Sequence, residues 1–458
     1  MVFSSSIFLL IFMPIVLGLY YLLPAKMRNL GLLTASLILY ACGEPIYILI
    51  MLFSTVFDYS NGLLLEKFEK NEKAKKLILI LSVVVNLGLL CFFKYANFAI
   101  ESVNSVFNLG ITGLNIALPI GISFYTFQTL SYTIDVYRGS VKAQHNIIAF
   151  GMYVSMFPQL IAGPIVRYAD IENQLLKRSL EADIIADGIF RFVLGLAKKV
   201  LIANQAGAIW NEISSVDNAP VLTAWIGAAA FTLQIYFDFS GYSDMAIGLG
   251  KMLGFVLPEN FDHPYEAKSV TEFWRRWHIS LGTWFREYLY IPLGGNRRGK
   301  ARQIINLLVV WFLTGLWHGA GWNFILWGLY FFAVLVLEKF ILARQLKRLP
   351  AFLQHVYTML VVLFSWVIFA CDDLNMLGNY LVSLFGANGF MNEMSLYYLL
   401  TNAVVLVFGA VLSTSLVKKL LCKINSFAVR ACISIVLFVI CIIFVVSESY
   451  NPFLYFRF

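Results

Sequence analysis

The chain has 458 residues, of which 13% are Asp, Glu, Lys or Arg and 60% are hydrophobic. A soluble domain carries about 25% charged residues, so a soluble fold is excluded, as are disorder, collagen and a disulfide-rich secreted scaffold; an all-α polytopic membrane protein remains. The net charge of +8 points to no nucleic-acid partner, because cytoplasmic loops of membrane proteins collect Lys and Arg.

The first residues, Met1-Val2-Phe3-Ser4-Ser5-Ser6-Ile7, have no basic n-region and no small-residue cleavage site. Residues 1–25 are therefore expected to form a first span and not a removed signal. A bilayer core needs about 20 apolar residues per helix. Charge-free runs of that order recur at 77–93, 218–237, 349–371, 394–417 and 431–447, and 303–337 is long enough for two helices. Weaker or interrupted segments lie at 29–43, 45–57, 118–134 and 147–165. The length rule gives about ten to twelve embedded helices. No Pro/Gly/Ser linker and no repeat interrupts them, so 1–458 is expected to be one membrane domain.

Positive charges set the expected orientation. Lys26 and Arg28 follow the first span, which puts the N-terminus outside. Further cytoplasmic loops are marked by the lysines of 67–76, by Arg297, Arg298, Lys300 and Arg302, by Arg344, Lys347 and Arg348, and by Lys418, Lys419, Lys423 and Arg430. Residues 372–396 hold Asp372, Asp373 and Glu393 with no Lys or Arg, as an outside loop should. The C-terminal tail is expected outside.

Two regions are not simple spans. Residues 182–204 mix apolar residues with Arg191, Lys198 and Lys199, which suggests an interfacial helix. Residues 271–290 are rich in Trp and Arg; on one helix Trp274, Trp277, Leu281, Trp284 and Tyr288 would form a single apolar stripe at headgroup level.

The residues with chemistry are few. His318 lies in Gly315-Leu316-Trp317-His318-Gly319-Ala320-Gly321-Trp322, about 15 residues or roughly 22 Å of helix above the basic loop. That depth falls inside a core of about 30 Å, beside a glycine break, and Trp317 and Asn323 flank the break. An intramembrane ionisable group is a functional candidate; the plainer reading is a buried histidine satisfied by a carbonyl. His278, near Trp274 and Arg275, is a second candidate or an interfacial anchor. Asp238, Ser240 and Asp244 lie in an aromatic, otherwise uncharged run; the carboxylates mark an ion path or pair with arginines such as Arg167, Arg275 or Arg276. Residues 118–128 and 157–168 carry Pro and Gly, as bent or re-entrant segments and ordinary kinked spans both do. Six scattered cysteines form no Cys-x-x-Cys, and no metal-ligand spacing, Walker loop or Gly-x-Ser-x-Gly is present. A buried histidine without a metal suits general acid–base catalysis, taking a proton from a hydroxyl that attacks a thioester or ester carbonyl.

Several long words resemble a known family: 118–139, 153–168, 236–248, 315–319 and, above all, 258–299, with Phe273-Trp274-Arg275-Arg276-Trp277-His278-Ile279-Ser280 and Tyr290-Ile291-Pro292-Leu293-Gly294-Gly295-Asn296-Arg297. In these words the chain resembles the membrane-bound O-acyltransferases (MBOAT), in their bacterial alginate O-acetylation branch. The resemblance implies a ring of helices around a thin centre crossed by a tunnel. It places the family's membrane histidine on His318 and its second histidine on His278, in a positioning or donor-side role. Asp238, Ser240 and Asp244 also match the family's pattern. Arg275 and Arg276 would attract an anionic donor, and Trp317, Asn323, Asp238 and Ser240 complete the candidate binding set. No bound cofactor is implied; the donor is acetyl-CoA or an acylated carrier. The implied function is acyl, most simply acetyl, transfer to a cell-surface polysaccharide across the bacterial inner membrane, with an extracytoplasmic SGNH-hydrolase-like partner. Two departures stand out: Trp327-Gly328 is followed by Leu329 and not by the branch's His-Gly, and Gly282-Thr283 replaces a serine pair. D-alanyl transfer to teichoic acid, a transporter using Asp238 and Asp244, and a scaffold recruiting the extracytoplasmic enzyme are the alternatives.

Overall fold

The structure is a computed structural model that describes residues 3–160, 163–447 and 454. The described residues are helical throughout, apart from turns, extended connections and one isolated antiparallel bridge between Phe261 and Trp277. Among the described residues, seven helices are long and apolar enough to cross a membrane: Ile48–Lys67, Glu72–Phe107, Val221–Met252, Trp322–Leu346, Ala351–Ala370, Glu393–Leu412 and Phe427–Ser447. Phe8–Leu22 is a shorter apolar helix. The expected pair within 303–337 is present as Lys300–His318 and Trp322–Leu337. The polytopic, all-helical expectation therefore holds. Met1 and Val2 of the expected first span, and the tail beyond Ser447 save for Leu454, lie outside the described residues, as do Ile161 and Ala162 of the 157–168 word.

The chain forms two compact units. One comprises Met1–Phe192 and Ser243–Pro258, the other Val193–Tyr242 and Glu259–Phe458. In the first, Ile48–Lys67, Glu72–Phe107 and Ile122–Arg138 meet around Asp58. Its carboxylate accepts from Ser82 Oγ at 2.7 Å, Asn86 Nδ2 at 2.8 Å and Thr133 Oγ1 at 3.3 Å. A carboxylate shielded from water persists only if donors surround it. Residues 118–134 resolve into an extended run and the helix Ile122–Arg138, which starts from Gly121 in the left-handed region and is buried on nearly every face. The short buried helix Phe157–Leu160 and the helix Tyr168–Leu176 are distinct elements, and the described residues 163–167 between them are non-helical, so this word is not one kinked span.

The helix expected over 182–204 runs further than that segment. Ala182–Ala197 continues through a π-helical stretch, Lys198–Ala203, into Asn204–Ser214. Within the first unit Gly188 packs on Gly248, and within the second Gly195 packs on Gly241, so closely that a Cβ on Gly248 or Gly241 would stand 2.7 Å from the facing carbonyl oxygen. Such small residues let helix backbones approach where side chains would hold them apart. The close approach leaves Lys199 buried, at 2% exposure.

Candidate active site

All the principal site residues lie in the second unit. The single stripe expected over 271–290 does not form. Val270–Arg276 and Ile279–Phe285 are separate helices, broken where Trp277 is extended and His278 takes a left-handed backbone of φ 46° and ψ 54°. The break has a cause in the neighbouring chain. Residues 260–262 run antiparallel to 276–279: Asp262 N–H donates to Arg276 O at 3.0 Å, and Ile279 N–H to Asn260 O at 3.0 Å. These bonds, with the Phe261–Trp277 bridge, take backbone groups that a continuous helix would use internally. The result turns His278 inward, to 1% exposure, where a regular amphipathic helix would have left it on a flank.

The first of these helices is anchored by Glu338. Its carboxylate, 5% exposed, accepts from Val270 N at 2.7 Å, Thr271 N at 2.9 Å and Thr271 Oγ1. A carboxylate here satisfies two of the orphan N–H groups of a helix start and opposes its positive dipole end. Sequence reasoning missed Glu338, since a lone acid at the end of an apolar run carries no signal of a distant helix N-terminus.

His318 ends its helix, and Gly319 and Gly321 make the turn into Trp322–Leu337. The two helices close on one another at Gly315 and Gly328. A Cβ on Gly315 would strike Phe324 O, and one on Gly328 would strike Trp311 O. His318 is 4% exposed, in an aromatic box. Its ring centroid lies 5.1 Å from Trp317, 4.9 Å from Trp327 and 5.4 Å from Phe369, each nearly edge to face. Asn323, also buried, donates from Nδ2 to Phe369 O at 3.1 Å and so fixes one wall of the box. Trp317 is shared: its ring also lies 5.8 Å from that of His278, which stands 4.7 Å from the ring of Phe239. Both predicted histidines thus stand on the same indole.

The other predicted residues divide. Arg275 is exposed, and Arg276 is paired with Glu272 at 2.7 Å. Asp238 is 2% exposed and ion-paired with Lys199, and its second oxygen accepts from Leu454 N at 2.9 Å. Asp244, in the first unit, pairs with Arg191 at 2.8 Å. The expected partners were Arg167, Arg275 or Arg276; Arg167 instead pairs with Asp170 at 2.7 Å. The actual partners come from the helix that the glycines bring close, a proximity with no signature in local charge pattern. Ser240 is buried, with no hydrogen-bond partner for Oγ among the described residues. Among those residues, no group of three or more His, Cys, Asp or Glu side chains is placed to hold a metal ion.

A buried imidazole in an aromatic box suits proton transfer to and from a bound reactant. Comparison with known proteins adds to this geometry. The model of the MBOAT, membrane-bound O-acyltransferase family, matches residues 38–381. "Probable alginate O-acetylase AlgI" of Pseudomonas aeruginosa is 47% identical over 82% of this chain and 73% of its own length. "Peptidoglycan O-acetyltransferase" of Helicobacter pylori is 34% identical over 85% of this chain and 80% of its own. "Teichoic acid D-alanyltransferase" of Bacillus subtilis is 26% identical over 56% of this chain and 68% of its own.

Proposed function

This chain belongs to the membrane-bound O-acyltransferase family, and on that premise we propose that it transfers an acetyl group for O-acetylation of a cell-surface polysaccharide. It is a multi-pass acyltransferase of the membrane, and we place it in the bacterial inner membrane with 1–458 working as one catalytic domain. The observation that carries this reading is the pair of buried histidines sharing Trp317. The donor is acetyl-CoA or an acylated carrier, taken from the cytoplasm and reaching His318 through a tunnel. Arg275, the exposed arginine of the pair, attracts the anionic donor.

The chemistry needs one proton acceptor. As the acceptor hydroxyl attacks the thioester carbonyl, a neutral imidazole takes its proton, the carbon–sulfur bond breaks, and the proton passes to the departing thiolate. His318 is that base, or carries the acyl group transiently. His278, which contacts the same indole, assists. Trp317 and Asn323 shape the box, Ser240 offers a hydroxyl to bound substrate, and Asp238 serves the structure through Lys199. An extracytoplasmic partner of SGNH-hydrolase type completes transfer to the polysaccharide.

Higher identity over more of the chain favours acetyl over D-alanyl transfer. The test is the O-acetyl content of surface polysaccharide in cells carrying His318→Ala at wild-type abundance. Loss of acetylation is expected, and retained acetylation overturns the assignment.

A further inference from the structure

The side chain of Asn260 stands between the chain break and His278. Its Oδ1 lies 3.1 Å from His278 Nδ1, 3.3 Å from the backbone N of Ser280 and 2.9 Å from Ser280 Oγ. Amide oxygen and nitrogen are alike in shape and are distinguished by their partners. Here a backbone N–H, which can only donate, faces the atom, so that atom is the oxygen. An amide oxygen can only accept. The hydrogen of the contact with His278 therefore sits on Nδ1. In a neutral imidazole with Nδ1 protonated, Nε2 carries a bare lone pair. That atom is buried and has no hydrogen-bond partner among the described residues.

We infer that Asn260 is a positioning residue that locks His278 in the Nδ1–H tautomer, holding the Nε2 lone pair ready to accept a proton or a hydrogen bond from a bound substrate. This rests on the reading that His278 takes part in transfer. Three features of the local fold serve the lock. Asn260 is wholly buried. Its backbone carbonyl takes Ile279 N–H at 3.0 Å, so main chain and side chain hold the same turn. The left-handed backbone at His278 swings the ring toward Asn260 and Phe239. The choice of amide over carboxylate matters too. A carboxylate partner would favour the imidazolium and fill Nε2 with a proton; a neutral amide orients the ring and leaves it neutral.

Solid-state NMR of the full-length protein in lipid bilayers, with 15N-labelled histidine, tests this without an activity assay. The His278 signals are those missing in His278→Gln. The expected wild-type ring has a protonated Nδ1 and an unprotonated Nε2. A protonated Nε2 with bare Nδ1 overturns the inference and requires no folded Asn260 variant. In Asn260→Ala the tautomers are expected to mix, and polysaccharide O-acetylation to fall by at least about tenfold. An unchanged His278 spectrum in that variant also overturns the lock. Asn260→Asp keeps an acceptor oxygen but adds charge, so the acid limb of the activity profile is expected to move to higher pH. A profile identical to wild type counts against the lock. If His278→Gln retains full acetylation while the wild-type spectrum shows the expected tautomer, the role of His278 in transfer fails and the lock by Asn260 stands.

Discussion

Lys199 Nζ lies 2.7 Å from Asp238 Oδ1, with both side chains 2% exposed, so each charge has exchanged water for the other. Removing one partner of a buried pair leaves an uncompensated charge and costs about 3–5 kcal/mol, whereas replacing both by apolar residues is often neutral. Asp238→Leu alone is expected to lower membrane abundance and thermal stability steeply, as is Lys199→Met. The double variant Lys199→Met, Asp238→Leu should recover much of the loss. A transport role for Asp238 predicts no such recovery of function, so a double-mutant cycle read by both stability and acetylation separates the two roles.

The sequence signals that survived are those with short range. Apolar run length found the spans, and the glycine break beside a buried His318 stands where the sequence put it, because both are properties of a few consecutive residues. The signals that failed depended on a second segment. Residues 271–290 have a helical apolar period, but residues 260–262 compete for their backbone and break the helix at His278. Lys199 looked like a headgroup lysine because Gly195 and Gly241, which draw its helix against that of Asp238, are separated in the chain by a whole span. Asn260 sat inside the 258–299 word, yet nothing local marked it as the partner of His278.

Gly315 and Gly328 define the hairpin that presents His318. A Cβ at Gly315 would strike the carbonyl of Phe324, which is backbone and cannot rotate aside. Gly315→Ala should therefore force the helices apart at a cost of about 1–3 kcal/mol. Since His318 follows three residues later, acetylation is expected to fall more than abundance does. Gly18→Ala, where nothing lies within 4 Å of the added methyl, is the matched control and should behave as wild type. Equal activity of the two variants would show that the close approach is not required.

Glu338 holds the start of Val270–Arg276 through two backbone N–H groups and the Thr271 hydroxyl. Glu338→Gln keeps the size of the side chain but loses the charge and places an NH2 where acceptors are needed. Capping and dipole interactions of this kind contribute about 1–2 kcal/mol. The expected result is a modest loss of stability with faster hydrogen exchange at 270–273. Exchange elsewhere, for instance in Glu393–Leu412, should be unchanged. Uniform exchange across both regions would count against Glu338 as a local cap.

Trp317 is the ring common to both histidines, at 5.8 Å from His278 and 5.1 Å from His318. Truncation to Ala would remove the ring that both contact; a buried Trp lost this way costs about 3–5 kcal/mol. Trp317→Phe keeps an aromatic ring of smaller breadth and should preserve folding, so it is the more informative variant. With a narrower ring, both imidazoles gain room to rotate. Acetylation is then expected to fall by at least about tenfold, since a small misplacement of catalytic groups is costly. If instead Trp317→Phe acetylates polysaccharide at the wild-type rate, the shared indole is only packing, and each histidine must be held by its remaining neighbours: Phe239 and Asn260 for His278, Trp327 and Phe369 for His318.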